Sequence, residues 1–270
     1  MITFSDLAED LASDMRSGGP GARRILDVRD VVNSPAVPSS FLSYIEPVAV
    51  DGLSFGASTI TATGTPVDVV AEGATKPTAA TVTSKQVVLS KMAGLVECSL
   101  ESTLSAAGLL PSIAYALGGQ AFAAYEAAVV AEAGNSNGHA YTSGKFAEGL
   151  MEAQGMVLAA GGNPTLIAVS AADVSALGVT MLNAMPDSGL IGQRIWSGAR
   201  VHVSPALQAG QALVLDPAGL TTAVHKDSPQ ILLDSTTKAD TNTVRVVVDL
   251  FAAAHLAVPE YVVPLAPQTK

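Results

Sequence analysis

The sequence predicts an α+β chain, and three stretches carry that expectation. Leu110, Ile113, Leu117, Ala121, Tyr125 and Ala128 recur on one stripe of a long helix. Just ahead of it, Met92, Val96, Cys98 and Leu100 fall on one face of an alternating strand. Far along the chain, Val244, Val246, Val248 and Leu250 alternate with Arg245, Val247, Asp249 and Phe251, a strand with a defined inner face.

The 270 residues suffice for one large domain or two modest ones. The chain is 49% hydrophobic and only 14% charged. A chain that cannot cover itself with charge tends to hide surface against partners, so an obligate oligomer is expected. The plainer reading is an alanine-rich protein from a GC-rich genome. The net charge of −10 argues against a direct grip on nucleic acid, which needs clustered Lys and Arg. The single cysteine, Cys98, excludes an internal disulfide, fits a reducing cytoplasm, and sits in a strand pattern as a small buried hydrophobe. No apolar run reaches the roughly 20 residues of a membrane span, and no signal peptide precedes Ile2-Thr3-Phe4-Ser5. A soluble protein made inside a cell, with no membrane partner, is the expectation.

Residues 1–40 read as an arm. Leu7, Leu11 and Met15 give one short amphipathic helix that stops at Ser17-Gly18-Gly19-Pro20-Gly21. Asp6, Glu9, Asp10 and Asp14 around it read as a solvated face. Arg23, Arg24 and Arg29 form either a small basic patch or pairs with carboxylates such as Asp27 and Asp30. Asn33-Ser34-Pro35 and Pro38-Ser39-Ser40 mark a linker, and Phe41 to Val50 reads as the first strand of a folded body.

Thr59, Thr61, Thr63 and Thr65 alternate with Ile60, Ala62 and Gly64, an exposed ribbon with little to bury on either face. With Thr81 to Val88 it makes a hairpin whose tip is Glu72-Gly73-Ala74-Thr75-Lys76-Pro77. An isolated two-stranded hairpin is marginal in water, so it must lie on something, most simply the next copy of the same protein. Beyond the strand from Met92, the chain turns at Glu101-Ser102 into the long helix, with Pro111 near its start and Gly134 able to end it in the left-handed conformation.

Asn135 to Gly144 reads as a loop. Phe146, Leu150, Ala153 and Val157 form the stripe of a second helix, ended by Gly161-Gly162-Asn163-Pro164. Thr165 to Val169 is a short buried strand, and Ser170 with Asp173 makes a capping-box-like helix start. This alternation suits an α+β or an α/β module. Ile195 to Ser204 and Ala212 to Leu215 follow as apolar strands, and after the strand from Thr243 come Ala252 to Val258, Pro259 and Pro264.

Reactive constellations are mostly decoys. Gly134-Asn135-Ser136-Asn137-Gly138 spells the G-x-S-x-G elbow of hydrolases, but it follows a helix and leads into a loop, where the mechanism needs strand, sharp turn, then helix. Ser235-Thr236-Thr237-Lys238 matches S-x-x-K without a Lys-Thr-Gly partner. His139, His202, His225 and His255 lie far apart and offer no metal spacing; His255, in an apolar run, reads as a satisfied core histidine. No glycine loop to cradle a phosphate precedes a helix. No catalytic residue, cofactor or metal site is expected.

The order of elements from Ser54 onward, a Glu-Gly-x-x-x-Pro tip, a returning strand and a long helix closing in a Gly/Asn-rich turn, resembles the major capsid proteins of tailed phages. That resemblance implies the Hong Kong 97-like fold. It implies an N-terminal arm at 1–40, a first segment of the peripheral (P) domain at 41–55, an extended E-loop at 56–95 and the P-domain spine helix region at 96–144. An axial (A) domain at 145–233 follows, where Val201-His202-Val203-Ser204 resembles the family's Gly-led Val-x-Val-Ser strand, and P-domain strands return at 234–270.

The implied role is a shell subunit that assembles with itself, in hexamers and pentamers, around the double-stranded DNA of a tailed bacteriophage. Inter-subunit contacts are then expected from Glu72, Gly73, Lys76, Pro77 and Lys85 of the E-loop and from Arg23, Arg24 and Arg29 of the arm. Gly64, Gly73 and Gly94 are the expected bending points. A portal protein is an implied partner; with only a short arm before the fold, either a separate scaffolding protein is used or assembly needs none, and there is room for a cement or decoration protein. The implied location is the virion, with assembly in the host cytoplasm.

Some relatives join an E-loop lysine to an asparagine of another subunit, helped by a buried glutamate. Lys85 is the nearest lysine, but Val246 and Ala253 fall at the other two positions, with Asn242 and Asp249 as a weaker alternative placement, so no crosslink is expected. An encapsulin-type nanocompartment shell is the alternative within the architecture. An α/β serine hydrolase using Ser136 is the alternative from another class.

Overall fold

The computed structural model describes residues 23–25, 41–63, 70, 72, 74–105, 109–174, 177, 195–196, 198–234 and 241–268. In chain order the strands of the first half are β1 (Arg23–Ile25), β2 (Val48–Val50), β3 (Ser54–Ala62), β4 (Ala80–Val88) and β5 (Ser90–Ser99). Helices α1 (Leu100–Ser105) and α2 (Leu109–Ala133), strand β6 (His139–Tyr141) and helix α3 (Phe146–Ala159) come next. Strands β7 (Leu166–Val169), β8 (Ile195–Trp196), β9 (Ala199–Val203), β10 (Ala212–Leu215), β11 (Leu220–His225), β12 (Gln230–Asp234), β13 (Thr243–Leu256) and β14 (Val262–Pro267) complete the fold.

The chain folds as two compact units, each gathered from three stretches. The first is Met1–Ser54, Val88–Ala128 and Thr222–Ala253; the second is Phe55–Val87, Val129–Thr221 and Ala254–Lys270.

The first unit is built on a six-stranded sheet, β1-β12-β13-β11-β2, with β5 also paired to β13. Strand β13 takes β12 from Gln230↔Asp249 to Asp234↔Arg245, and β5 from Thr243↔Ser99 to Ala252↔Ser90. As the alternation predicts, Val244, Val246, Val248 and Leu250 are buried. On the opposite face Arg245 Nε donates to Glu97 at 2.8 Å and Lys91 pairs with Asp249 at 2.8 Å. Met92, Val96 and Cys98 are half-buried on one face of β5. In α2 the expected stripe is buried at Leu110, Leu117, Ala121 and Tyr125, and Ala114 and Phe122 join it. Burying a leucine or phenylalanine here contributes about 1.5–3 kcal/mol each, which is what holds so alanine-rich a helix in place.

Several expectations are corrected. Phe41 to Val50 is not one strand: Phe41–Tyr44 is a 3-10 turn and only Val48–Val50 is extended. Phe41 and Leu42 are neighbours on this turn and both buried. Leu89 is buried and breaks the extended run between β4 and β5, its N–H donating to the Leu53 carbonyl at 2.8 Å. At Gly94 the Leu117 side chain packs over the glycine, 3.0 Å from where a Cβ would stand. Gly64 and Gly73 lie outside the described residues. Ser112–Ala133 is long and apolar enough to cross a membrane by length and composition, against the sequence reading, because many alanines add up. Its Leu117–Tyr125 stripe is already occupied by the core.

The second unit holds another six-stranded sheet, β6-β14-β10-β7-β9-β8. Strands β7 and β10 are buried at every residue, as central strands are. Helix α3 packs Leu150, Ala153 and Val157 on Ile167, Val169, Val214, Val263 and Leu265. Gly149 lets it approach: an added Cβ would stand 2.6 Å from Tyr141 Cβ. Gly161, at φ +89°, follows α3 as expected. The Ser170 cap is also present, with the Asp173 N–H donating to Ser170 Oγ at 3.2 Å.

Candidate assembly hairpin and its root

Within the second unit, β3 and β4 form a two-stranded sheet of their own. The Thr63 N–H donates to the Ala79 carbonyl at 3.0 Å, and Ser58 and Ser84 share a hydroxyl bond of 2.9 Å. Along β4 every residue except Val87 is exposed, Val82 to 66% and Val88 to 70%. Glu72, Lys76 and Pro77 at the tip are exposed as well. The residue-by-residue reading of a ribbon with nothing of its own to bury is what β4 displays.

The root is different. The Ile60 N–H donates to the Ala257 carbonyl at 2.7 Å, and the Thr59 hydroxyl donates to the Leu256 carbonyl at 2.9 Å. Thr59 Oγ1 also stands 3.0 Å from His255 Nε2. His255 is only 1% exposed, and its Nδ1 lies 3.7 Å from Glu132 Oε1. Lys85 Nζ lies 3.9 Å from the same carboxylate oxygen, which also receives the Leu256 N–H at 3.4 Å. Helix α2 and strands β4 and β13 thus meet on one carboxylate, and β3 joins them through His255 and Leu256. The ribbon has a seat on its own chain at the root.

Burial pushes the His255 imidazole below the ordinary histidine range, and the Lys85 ammonium adds to this; Glu132 and the Ser58 carbonyl pull the other way. The neutral ring is therefore the resident form. A hydroxyl, an imidazole and a carboxylate in line suggest a nucleophilic triad. Here the Thr59 hydroxyl has committed its proton to Leu256, so its oxygen faces the ring as an acceptor and not as a nucleophile awaiting a base.

Other sequence candidates fall apart or fall elsewhere. Ser136 Oγ donates to the Ala133 carbonyl at 2.7 Å at the end of α2, with no strand before it. Gly134 is not left-handed; its N–H donates to Val130 at 3.0 Å and continues the helical pattern. Ser235 to Lys238, Gly73 and Arg29 lie outside the described residues. Arg23 and Arg24 lie in β1, paired with Leu232 and Ile231 of the same chain. Val246 and Ala253 are buried in β13, Asn242 precedes that strand at φ 50°, and Asp249 is held by Lys91. His139 bonds Glu152 at 2.7 Å, and His225 Nε2 donates to the Asp51 carbonyl at 3.1 Å while its Nδ1 accepts the Asp227 N–H. No group of His, Cys, Asp and Glu that could hold a metal stands among the described residues.

Sequence reasoning did not bring Thr59, Glu132 and His255 together. They are up to 196 positions apart, and only the hairpin's return onto the end of β13 joins them.

No protein-family model and no curated protein matches the chain. Solved structures do. A virus-like particle from Pyrococcus furiosus matches with a TM-score of 0.60 at 16% identity, over 84% of this chain and 91% of that one. A chain from Mycobacterium phage Bobi matches with a TM-score of 0.60 at 18% identity, over the full length of both. One from Mycobacterium phage Adephagia matches at 0.56 and 19% identity, over 85% and 90%.

Proposed function

We propose that this chain, which has the Hong Kong 97-like fold of tailed-phage major capsid proteins, is the repeating subunit of an icosahedral shell around double-stranded DNA. The observation that carries the reading is the exposed hairpin on a fold shared end to end with a phage protein. A ribbon whose outer strand buries almost nothing on its own chain gains stability by lying on a neighbour, and a closed shell supplies one to every copy. The net charge of −10 suits a container whose wall does not hold its DNA tightly. Hexamers and pentamers of this chain, a portal protein and a separate scaffolding protein are the partners. The particle is assembled in the host cytoplasm and the subunit performs no catalysis.

The test is negative-stain microscopy of the purified protein, together with nuclease-protected DNA in particles from infected cells. Closed shells are expected. A chain that stays monomeric at high concentration, with β4 protected from exchange, would sink the reading.

The likeness to the Pyrococcus furiosus virus-like particle favours a second reading, an encapsulin-type compartment without a genome. Shells that enclose a cargo protein and no DNA would decide for it.

A further inference from the structure

The hairpin root holds a buried arrangement that shell building alone does not require. Thr59 Oγ1 spends its own proton on the Leu256 carbonyl, so the 3.0 Å contact to His255 must be donated by Nε2–H. In the neutral ring Nδ1 is then a bare acceptor. It has no hydrogen-bond partner among the described residues and faces Glu132 Oε1, itself an acceptor, at 3.7 Å. A proton on Nδ1 would join these two atoms. It would also place a full charge on a ring that is 1% exposed, beside the Lys85 ammonium that already shares that carboxylate.

Every element around the ring has a part in this balance. Strand β4 supplies Lys85, β3 supplies the Thr59 hydroxyl and Ser58 carbonyl, and the end of α2 supplies Glu132.

We propose that Thr59, Lys85, Glu132 and His255 form an acid-released clasp on the hairpin root, closed around a neutral imidazole and opened when that ring takes up a proton. Lifting the hairpin removes Lys85 from the ring and admits water, both of which favour the charged form. Proton uptake and release of the hairpin are therefore linked, and each promotes the other. The depressed His255 pKa accords with this direction: the closed form binds fewer protons than the open form as pH falls. The clasp acts on one chain and does not depend on the shell reading.

Hydrogen exchange of the full-length protein tests it, with the Ile60 amide and the β4 amides as reporters and intrinsic exchange corrected for pH. Between about pH 7.5 and pH 5 the parent should lose protection at the root severalfold while the α3 amides keep theirs. His255→Gln keeps an N–H for Thr59 but cannot take up a proton, so its root protection should not change with pH. Lys85→Met removes the repulsion and should shrink the loss. Equal root protection at the two pH values in the parent would overturn the proposal, as would a loss in His255→Gln as large as in the parent. Should His255→Gln fail to fold, an undiminished loss in Lys85→Met would overturn it equally.

Discussion

Leu117 Cδ2 stands 3.0 Å from the point where a Cβ on Gly94 would begin, so helix α2 and strand β5 meet at a place that glycine alone fills without movement. Gly94→Val should therefore cost about 1–3 kcal/mol by overpacking. Leu117→Ala should cost about 2–5 kcal/mol by leaving a void. The two changes made together should cost less than their sum, by roughly 0.5–3 kcal/mol, because each relieves what the other creates. Urea unfolding of the four proteins measures this, and strict additivity would show that the contact is not made.

A similar close approach fixes α3. With an added Cβ only 2.6 Å from Tyr141 Cβ, Gly149→Ala should destabilise the second unit by about 1–3 kcal/mol. Tyr141→Phe keeps the ring and its edge contact to Phe146 but removes the phenol's 3.0 Å bond to the Gly210 carbonyl. It should cost about 1 kcal/mol in the same unfolding experiment.

The His255 imidazole sets a pH dependence of stability. Its pKa in the folded chain is lowered, so the unfolded chain binds more protons as pH falls below the ordinary histidine range. Stability from this group is present above about pH 6.5 and is lost as pH falls through the folded value. The urea midpoint should accordingly drop between about pH 7.5 and 5 in the parent and drop less in His255→Gln. An equal drop in both would place the dependence elsewhere.

At the hairpin tip, Lys76→Glu combined with Pro77→Gly touches residues exposed on their own chain. The variant should fold with an unchanged unfolding midpoint and form fewer closed particles, as counted by sedimentation. Unchanged particle yield would remove the tip from the assembly contacts.

Particles of the parent should run as a single monomer-size band on a denaturing gel. Lys85 lies against Glu132, and the positions the sequence assigned to its reaction partners hold buried Val246 and Ala253. A ladder of covalent multimers would contradict this.

The periodic elements were the legible part of the chain. Val244 to Leu250 alternate in burial as their hydrophobicity alternates, and Leu110 to Tyr125 are buried along the stripe that a 3.6-residue period draws. Strand β7 could be read because its run is apolar throughout. What could not be read depended on distant partners. Nothing local in Phe41 and Leu42 announces a 3-10 turn that buries both, and Gly94 gives no sign that Leu117 will occupy its space. The end of α2 misled because a Gly/Asn-rich turn suggests a left-handed cap, whereas the Gly134, Asn135 and Ser136 amides simply bond back to Val130, Glu132 and Ala133. The hairpin was visible as an exposed ribbon; its root was not, because Thr59, Lys85 and Glu132 look like ordinary surface residues until β13 delivers His255 among them.

In a sheet of two strands the outer edge of β4 is a template for any extended peptide nearby, whereas β3 is tied at its root by the Ile60 N–H to Ala257. With Val82 and Val88 bare to solvent, newly made chains are at risk of fibrous self-association before they find their proper seats. Threonine and serine in place of larger apolar residues, a charged Lys85 mid-strand and Pro77 just before β4 act as gatekeepers against it. The same residues that leave the ribbon free to be captured also keep it from the wrong captor.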